Sequence, residues 1–201
     1  MKKLLFATGN VAKVNRFKEK LNQKGIELLS LKDVDVNINV EENGKNAIEN
    51  ALLKARAYKQ VIDMPVLAMD DNLFLDNVPE DLQPGMFVRR VDGKVLSDEE
   101  MIEHYSGLVQ KFGVDGKLNA RWIYGMALIC DNQEHTYTWS KSDFWLVSSP
   151  TDKRNIGYPL NSISKNIMLN KYFTDMTEND WLLQQENEDH VIEFILSCLE
   201  N

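Results

Sequence analysis

The stretch KKLLFATGNVAKVNRFKEKLNQKGIELLSL, residues 2–31, decides the fold class. It opens on KKLLFAT, a short apolar run suited to a buried strand. Val11, Val14, Phe17 and Leu21 then recur at helical spacing until Gly25 closes the run. IELLSL, residues 26–31, reads as a second strand. Strand, helix and strand in that order imply a right-handed crossover and a parallel pair. The first apolar run ends at Thr8-Gly9-Asn10, short of the roughly 7–15 apolar residues that a signal peptide needs, so it reads as a strand and not as a leader.

Outward from this unit the pattern continues. VDVNINV (34–40) alternates like an edge strand, and EENGKNAIENALLKARA (41–57) opens a helix with an apolar stripe at Ile48, Ala51, Leu52, Ala55 and Ile62. Asn46 and Glu49 match the N-cap and N3 places of a capping box. PVLAMDD (65–71) is a third apolar strand ending in two acids. LSDEEMIEHYSGLVQKFG (96–113) carries a second capping box, Ser97 with Glu100, then Met101, Ile102, Tyr105, Leu108 and Phe112 on one side. NARWIYGMALICDN (119–132) and HTYTWSKSDFWLV (135–147) read as long antiparallel strands joined at Asp131-Asn132, and EDHVIEFILSCLE (188–200) as a final amphipathic helix. Early helix–strand alternation and a later antiparallel pair predict an α/β protein with a mixed sheet and flanking helices, in one domain over 1–201.

Composition narrows the function. A net charge of −8 over 201 residues argues against the basic face that nucleic-acid binding requires. No stretch approaches the ~20 apolar residues of a membrane span. Cys130 and Cys198 stand far apart in apolar surroundings, which predicts free buried thiols in a reducing compartment, hence the cytoplasm. His104, His135 and His190 are scattered, and each reads as a surface or packing residue.

Three polar clusters carry chemistry. TGNVAK (8–13) breaks a strand and enters a helix; Thr8, Asn10 and Lys13 there suit an anion, while Thr8 or Asn10 alone suits a helix cap. Glu41 and Glu42 are neighbouring carboxylates whose repulsion a hard cation such as Mg²⁺ would relieve. Asn50 and Lys54, four apart, are expected on one polar face opposite the apolar stripe. Asp70 and Asp71, at the expected end of the third strand, suit a metal ligand or a base. Together the clusters supply carboxylates, lysines and an anion loop, the parts that position a metal-bound polyphosphate against water.

FATGNVAK, EENGKNAIENALLKA, VLAMDD and PGMFVRR, in this order and near these spacings, resemble the inosine triphosphate pyrophosphatase family over roughly residues 1 to 130. The resemblance implies an elongated α/β fold with two lobes around a central cleft and a homodimer. It also implies Mg²⁺ and cleavage of a nucleoside triphosphate to monophosphate and pyrophosphate. Carried over, Thr8, Asn10 and Lys13 resemble the phosphate loop, Glu41 and Glu42 with Asp71 the metal-binding acids, and Lys54 the helix lysine that meets the triphosphate. Asp71 resembles the acid that directs the water, with Asp70 beside it, and Arg90 the arginine after the Pro84-Gly85 turn.

The departures fall in the base-reading half. DDNLFLD (70–76) stands where the family reads Asp-Asp-Ser-Gly-Leu, one residue short. IGYPL (156–160) stands for Phe-Gly-Tyr-Asp-Pro, leaving Tyr158, Trp145 or Trp181 as candidate stacking surfaces. TENDWLLQQENEDH (177–190) replaces the Ser-His-Arg motif. The expected activity is a Mg²⁺-dependent pyrophosphohydrolase acting on non-standard purine triphosphates. The alternative is a nucleotide-binding module on the same fold with weakened catalysis. A phosphatase with an aspartate nucleophile would want Asp-x-Asp, which Asp70-Asp71-Asn72 does not give.

Overall fold

The opening stretch folds as its periodicity predicts. Strand β1 (Lys2–Phe6), helix α1 (Val11–Gln23) and strand β2 (Ile26–Leu29) form a β-α-β unit, and β1 pairs in parallel with β2 from Lys2 against Ile26 to Leu5 against Leu29. The computed structural model describes residues 1–36, 38–183 and 188–200. Among these follow α2 (Ala47–Lys59), β3 (Val66–Leu75), β4 (Arg90–Val91), β5 (Lys94–Val95), α3 (Asp98–Phe112), β6 (Lys117–Cys130) and β7 (Gln133–Val147). The chain closes with β8 (Ser164–Asn166), α4 (Glu178–Leu183) and α5 (Asp189–Glu200). Six strands form one sheet in the order β2-β1-β3-β6-β7-β8, and β4 and β5 pair separately. This is the expected α/β class with a mixed sheet: β1 is parallel to both neighbours, and β8 is antiparallel to β7.

The chain divides into two compact units. The first takes residues 1–71, 124–139 and 188–201. Its core sets Leu5 and Ala7 of the first strand and its exit, Val66 and Ala68 of β3, and Ala127 and Ile129 of β6 against Ala51, Ala55 and Tyr58 of α2. On α1, Val14, Phe17 and Leu21 are buried, and Phe17 meets the Phe6 ring at 6.1 Å. The small residues of α2 let its backbone approach the sheet. Gly125 shows how closely: a β-carbon there would fall 2.4 Å from the backbone of Ala47 and Ile48, so only glycine fits. The segment 34–40 is not the expected edge strand. Val34, Val36, Ile38 and Val40 instead pack as a coil against the α2 core, which satisfies the same alternation without a ladder; Asn37 within it lies outside the described residues.

The second unit takes residues 72–123 and 140–187. Helix α3 begins at the expected capping box, with Glu100 N–H donating to Ser97 Oγ and Ser97 N–H donating to the Glu100 carboxylate. It buries Met101, Ile102, Tyr105 and Leu108 with Leu73, Phe144, Leu146, Leu160 and Ile163. The Tyr105 hydroxyl donates to the Val88 carbonyl at 2.9 Å, which satisfies a side chain with no exposed surface. Gln83 acts as a side-chain strand for the end of β3, accepting from Leu75 N–H and donating to the Leu75 and Val78 carbonyls. The β4–β5 ribbon and α4 have no counterpart in the sequence reading; two-residue strands and a six-residue helix are too short to show a period.

A second expectation is corrected. β3 does not end at the two acids. It runs on through Asp70, Asp71 and Asn72 to Leu75, so both carboxylates sit inside a strand, where successive side chains point to opposite faces.

Candidate functional site

In the first unit the loop 8–10 leads from β1 into α1. Asn10 is the helix N-cap, its Oδ1 accepting from Ala12 N–H at 2.9 Å, and Thr8 Oγ1 accepts from Asn10 N–H at 3.2 Å. Of the two readings open for this loop, the structure shows the cap; both side chains order the helix entrance. Lys13, one turn in, reaches Asp71, with its ammonium 2.7 Å from Oδ2. Both side chains are largely enclosed, at 14% and 20% exposure. The other oxygen, Asp71 Oδ1, is buried and accepts no hydrogen bond from the described residues.

Helix α2 supplies the opposite side. Asn46 caps it, accepting from Glu49 N–H at 3.0 Å, while the Glu49 carboxylate reaches one residue further back than a standard box, to Lys45 N–H at 2.8 Å. Lys54 pairs with Glu42 at 3.2 Å. Asn50 departs from its expected place. It is 3% exposed and buried with Ala47 and with Ala51 of the apolar stripe, not opposite them, while Lys54, four residues on, keeps its side chain 13% exposed. Its Oδ1 accepts from Gly44 N–H at 2.8 Å, and its Nδ2 donates to Asp70 Oδ2 at 2.9 Å. Gly44 has no room for a side chain, since a β-carbon would meet Glu49 Cβ at 2.7 Å and Asn50 Oδ1 at 2.8 Å. Asn50 thus joins the acidic loop to β3.

Burial raises the Asp70 carboxyl above its ordinary range, with Asp71 adding to the rise; Lys54, the Asn50 hydrogen bond and Lys13 oppose it. The structure therefore brings Lys13, Asp71, Asp70, Asn50, Lys54 and Glu42 into one connected set. Glu41 is exposed beside it. Among the described residues no three Asp, Glu, His or Cys side chains gather closely enough to hold an ion between them, so Glu41, Glu42 and Asp71 do not form a three-carboxylate cage.

Arg90 and Tyr158 belong to the second unit. Arg90 is exposed in β4, while its neighbour Arg89 pairs with Asp98 at 2.8 Å. Tyr158 is half-buried at the entrance to the helical turn Pro159–Ser162, with its hydroxyl oxygen enclosed. Two alternative stacking surfaces are engaged: Trp145 lies under the Lys117 ammonium at 4.0 Å, and Trp181 joins the core against Phe173 at 5.2 Å. Ile156 is 93% exposed. Residues 184–187, inside the segment replacing Ser-His-Arg, lie outside the described residues.

The sequence reading missed a second ion pair on α1. Arg16 grips Glu188 with both Nε and Nη2, and its guanidinium lies 4.9 Å from the Tyr124 ring centre. Burial pushes the Tyr124 hydroxyl well above its usual range; Arg16 opposes this, while Asp71 and Glu188 reinforce it. Arg16 was findable, since it follows Lys13 by three places on the same face. Glu188 was not, because 172 residues separate it from its partner.

Known proteins share the sequence family and the fold. Residues 4–179 match the model of the Ham1 family. The dITP/XTP pyrophosphatase of Oceanobacillus iheyensis is 30% identical over 181 residues, covering 90% of this chain and 88% of that relative. The dITP/XTP pyrophosphatase of Bacillus subtilis is 28% identical over 159 residues, covering 79% and 78%. The solved structure of the Staphylococcus aureus Ham1 protein shares the fold, with a TM-score of 0.72 at 22% identity over 98% of both chains.

Proposed function

The chain belongs to the Ham1 family, and from that premise we propose that it hydrolyses nucleoside triphosphates to monophosphate and pyrophosphate. The observation that carries the reading is the connected set Lys13–Asp71 and Lys54–Glu42, with Asp70 held by Asn50. Two ammonium groups facing carboxylates across one patch are suited to a polyphosphate and its counter-cation. The pyrophosphatase names of the relatives from O. iheyensis and B. subtilis favour a non-standard purine triphosphate.

A Mg²⁺ ion fits the donors present. Asp71 Oδ1 is a buried carboxylate oxygen without a partner among the described residues, and such an atom is costly unless a cation takes it up. Mg²⁺ is commonly held by one or two carboxylates with the remaining places filled by phosphate and water, so a three-acid cage is not needed. On this reading Asp71 holds the ion, Glu42 and Glu41 add charge near it, and the ion when bound neutralises phosphate charge and polarises the phosphoryl oxygen. Lys13 and Lys54 bind phosphate oxygens. Thr8 and Asn10 order the α1 entrance, and the positive end of the helix dipole there favours an anion. Asp71 orients the attacking water. Asp71 is also the acceptor for its proton, and Asp70, held by Asn50 on the other face of β3, assists through the charge field that the two acids share. The reaction breaks the bond between the α-phosphorus and its bridging oxygen, and pyrophosphate leaves. Arg90 is proposed as a further substrate contact and Tyr158 as a ring for the base. A homodimer in the cytoplasm completes the reading; light scattering of the purified chain tests the dimer.

The test is pyrophosphate release with Mg²⁺ across inosine, xanthosine, their deoxy forms and the four standard triphosphates. Release that Asp71→Asn lowers by about a thousandfold, the scale of one lost charge-stabilising group, supports the reading. Binding without release from any of them would leave only a nucleotide-binding module.

A further inference from the structure

We propose that this site is closed by a crossed pair of ion pairs, so that metal and triphosphate admit each other by exchanging partners. The inference rests on the reading above. Each of the two phosphate-binding lysines is matched, in the structure, with a carboxylate assigned to the metal: Lys13 with Asp71 at 2.7 Å and Lys54 with Glu42 at 3.2 Å. Lys13 and Asp71 are 14% and 20% exposed, so screening by solvent and salt is reduced for that pair; Lys54 is 13% exposed but its partner Glu42 is 41% exposed, which makes the second pair the weaker one. Lys54 and Lys13 also act on Asp70, which ties both pairs to one field.

The consequence follows from charge alone. A cation arriving by itself meets carboxylates already neutralised by ammonium groups and must displace them. A polyphosphate arriving by itself meets ammonium groups already neutralised by carboxylates. When both arrive, the carboxylates turn to the cation and the ammonium groups to the phosphates, and each of the four side chains keeps a partner of opposite charge. Each ligand therefore removes the competitor of the other, which is positive coupling, and linkage makes it reciprocal.

Breaking a pair from one side should release the other side. Lys13→Gln should tighten Mg²⁺ binding to nucleotide-free protein by about fivefold or more, the lower end of ordinary coupling between sites. Asp71→Asn should tighten binding of inorganic tripolyphosphate, measured in EDTA, by a similar factor. Lys54→Gln and Glu42→Gln repeat the crossed test on the more exposed pair, and decide it if either variant of the first pair fails to fold. Isothermal titration calorimetry reads both ligands without turnover, and tripolyphosphate carries no base, so the result is independent of base recognition. Crossed gains in affinity support the exchange. Variants that only weaken their own ligand, with no gain for the other, overturn it while leaving the proposed function standing. Wild-type protein that binds neither ligand, alone or together, overturns both.

Discussion

Asn50 uses both ends of its amide inside the protein, one on Gly44 N–H and one on Asp70. Asn50→Ala leaves a buried N–H and a carboxylate unmatched and should cost about 1–3 kcal/mol in urea denaturation. Its neighbour titrates in a way that stability can report. Asp70 is raised by burial above its unfolded value of 3.8, so the folded chain holds this proton more tightly than the unfolded one. The stability it contributes is full below the unfolded value and is lost as pH rises from there through the raised value. Asp70→Asn stays neutral, so its stability relative to the wild type should increase as pH rises across that window. Paired urea curves at about pH 3.5 and about pH 7 check this, and a difference independent of pH would show that the carboxyl is not raised. Lys13, Lys54, Asp70 and Asp71 were legible in the sequence because charged residues at such places have few structural reasons to be there. The position of Asn50 was not. A helical stripe is read from apolar residues, and a buried amide that ties a loop to a strand is invisible to it.

At the scale of elements, the meeting of α2 with β6 is the most exacting contact. Gly125→Ala places a methyl group 2.4 Å from helix backbone, which cannot yield as a side-chain tip can. The helix must lift, and Lys54 and Asn50 with it; the expected result is a loss of about 1–3 kcal/mol in denaturation together with weaker tripolyphosphate binding. A loss of stability with unchanged binding would mean that the helix does not set the site. Helix α3 offers a simpler check. Ser97→Ala removes half of its capping box and should cost about 1 kcal/mol, read from the urea midpoint. The capping box and the β6–β7 hairpin were legible because their signals are local: Ser97 and Glu100 are three apart, and Asp131 and Asn132 both take the positive φ of a tight turn. The length of β3 was not. Two adjacent acids look like a strand end, and it takes Lys13 from α1 on Asp71 and Asn50 from α2 on Asp70 for them to stand inside one.

At the scale of the molecule, most of the first unit could be read from sequence, because its motifs are contiguous and its helices periodic. In the second unit α3 and the long strands were readable, whereas the short ribbon, the turn at Pro159–Ser162 and α4 are held by tertiary contacts that leave no period. The two free thiols give a probe of the first unit as a whole. Cys130 and Cys198 are 3% and 4% exposed, and burial raises both above the ordinary thiol range. A buried thiol is a poor nucleophile, so labelling at neutral pH should be slow in native protein and should accelerate with the same urea midpoint as unfolding. Rapid labelling of either cysteine in native protein would contradict this packing.

Because β3 continues through Asp70 and Asp71, position along it has a phase. Losing one residue just after these acids would act through that phase. Everything before the gap would keep its side of the sheet, so Asp70 would stay with Asn50 and Asp71 with Lys13. Everything after it would change sides. Leu73 and Leu75, both buried, would give up their inward places to Phe74. Such a deletion leaves the text upstream intact and inverts the parity of every letter downstream, so the lines that follow have to be rewritten together.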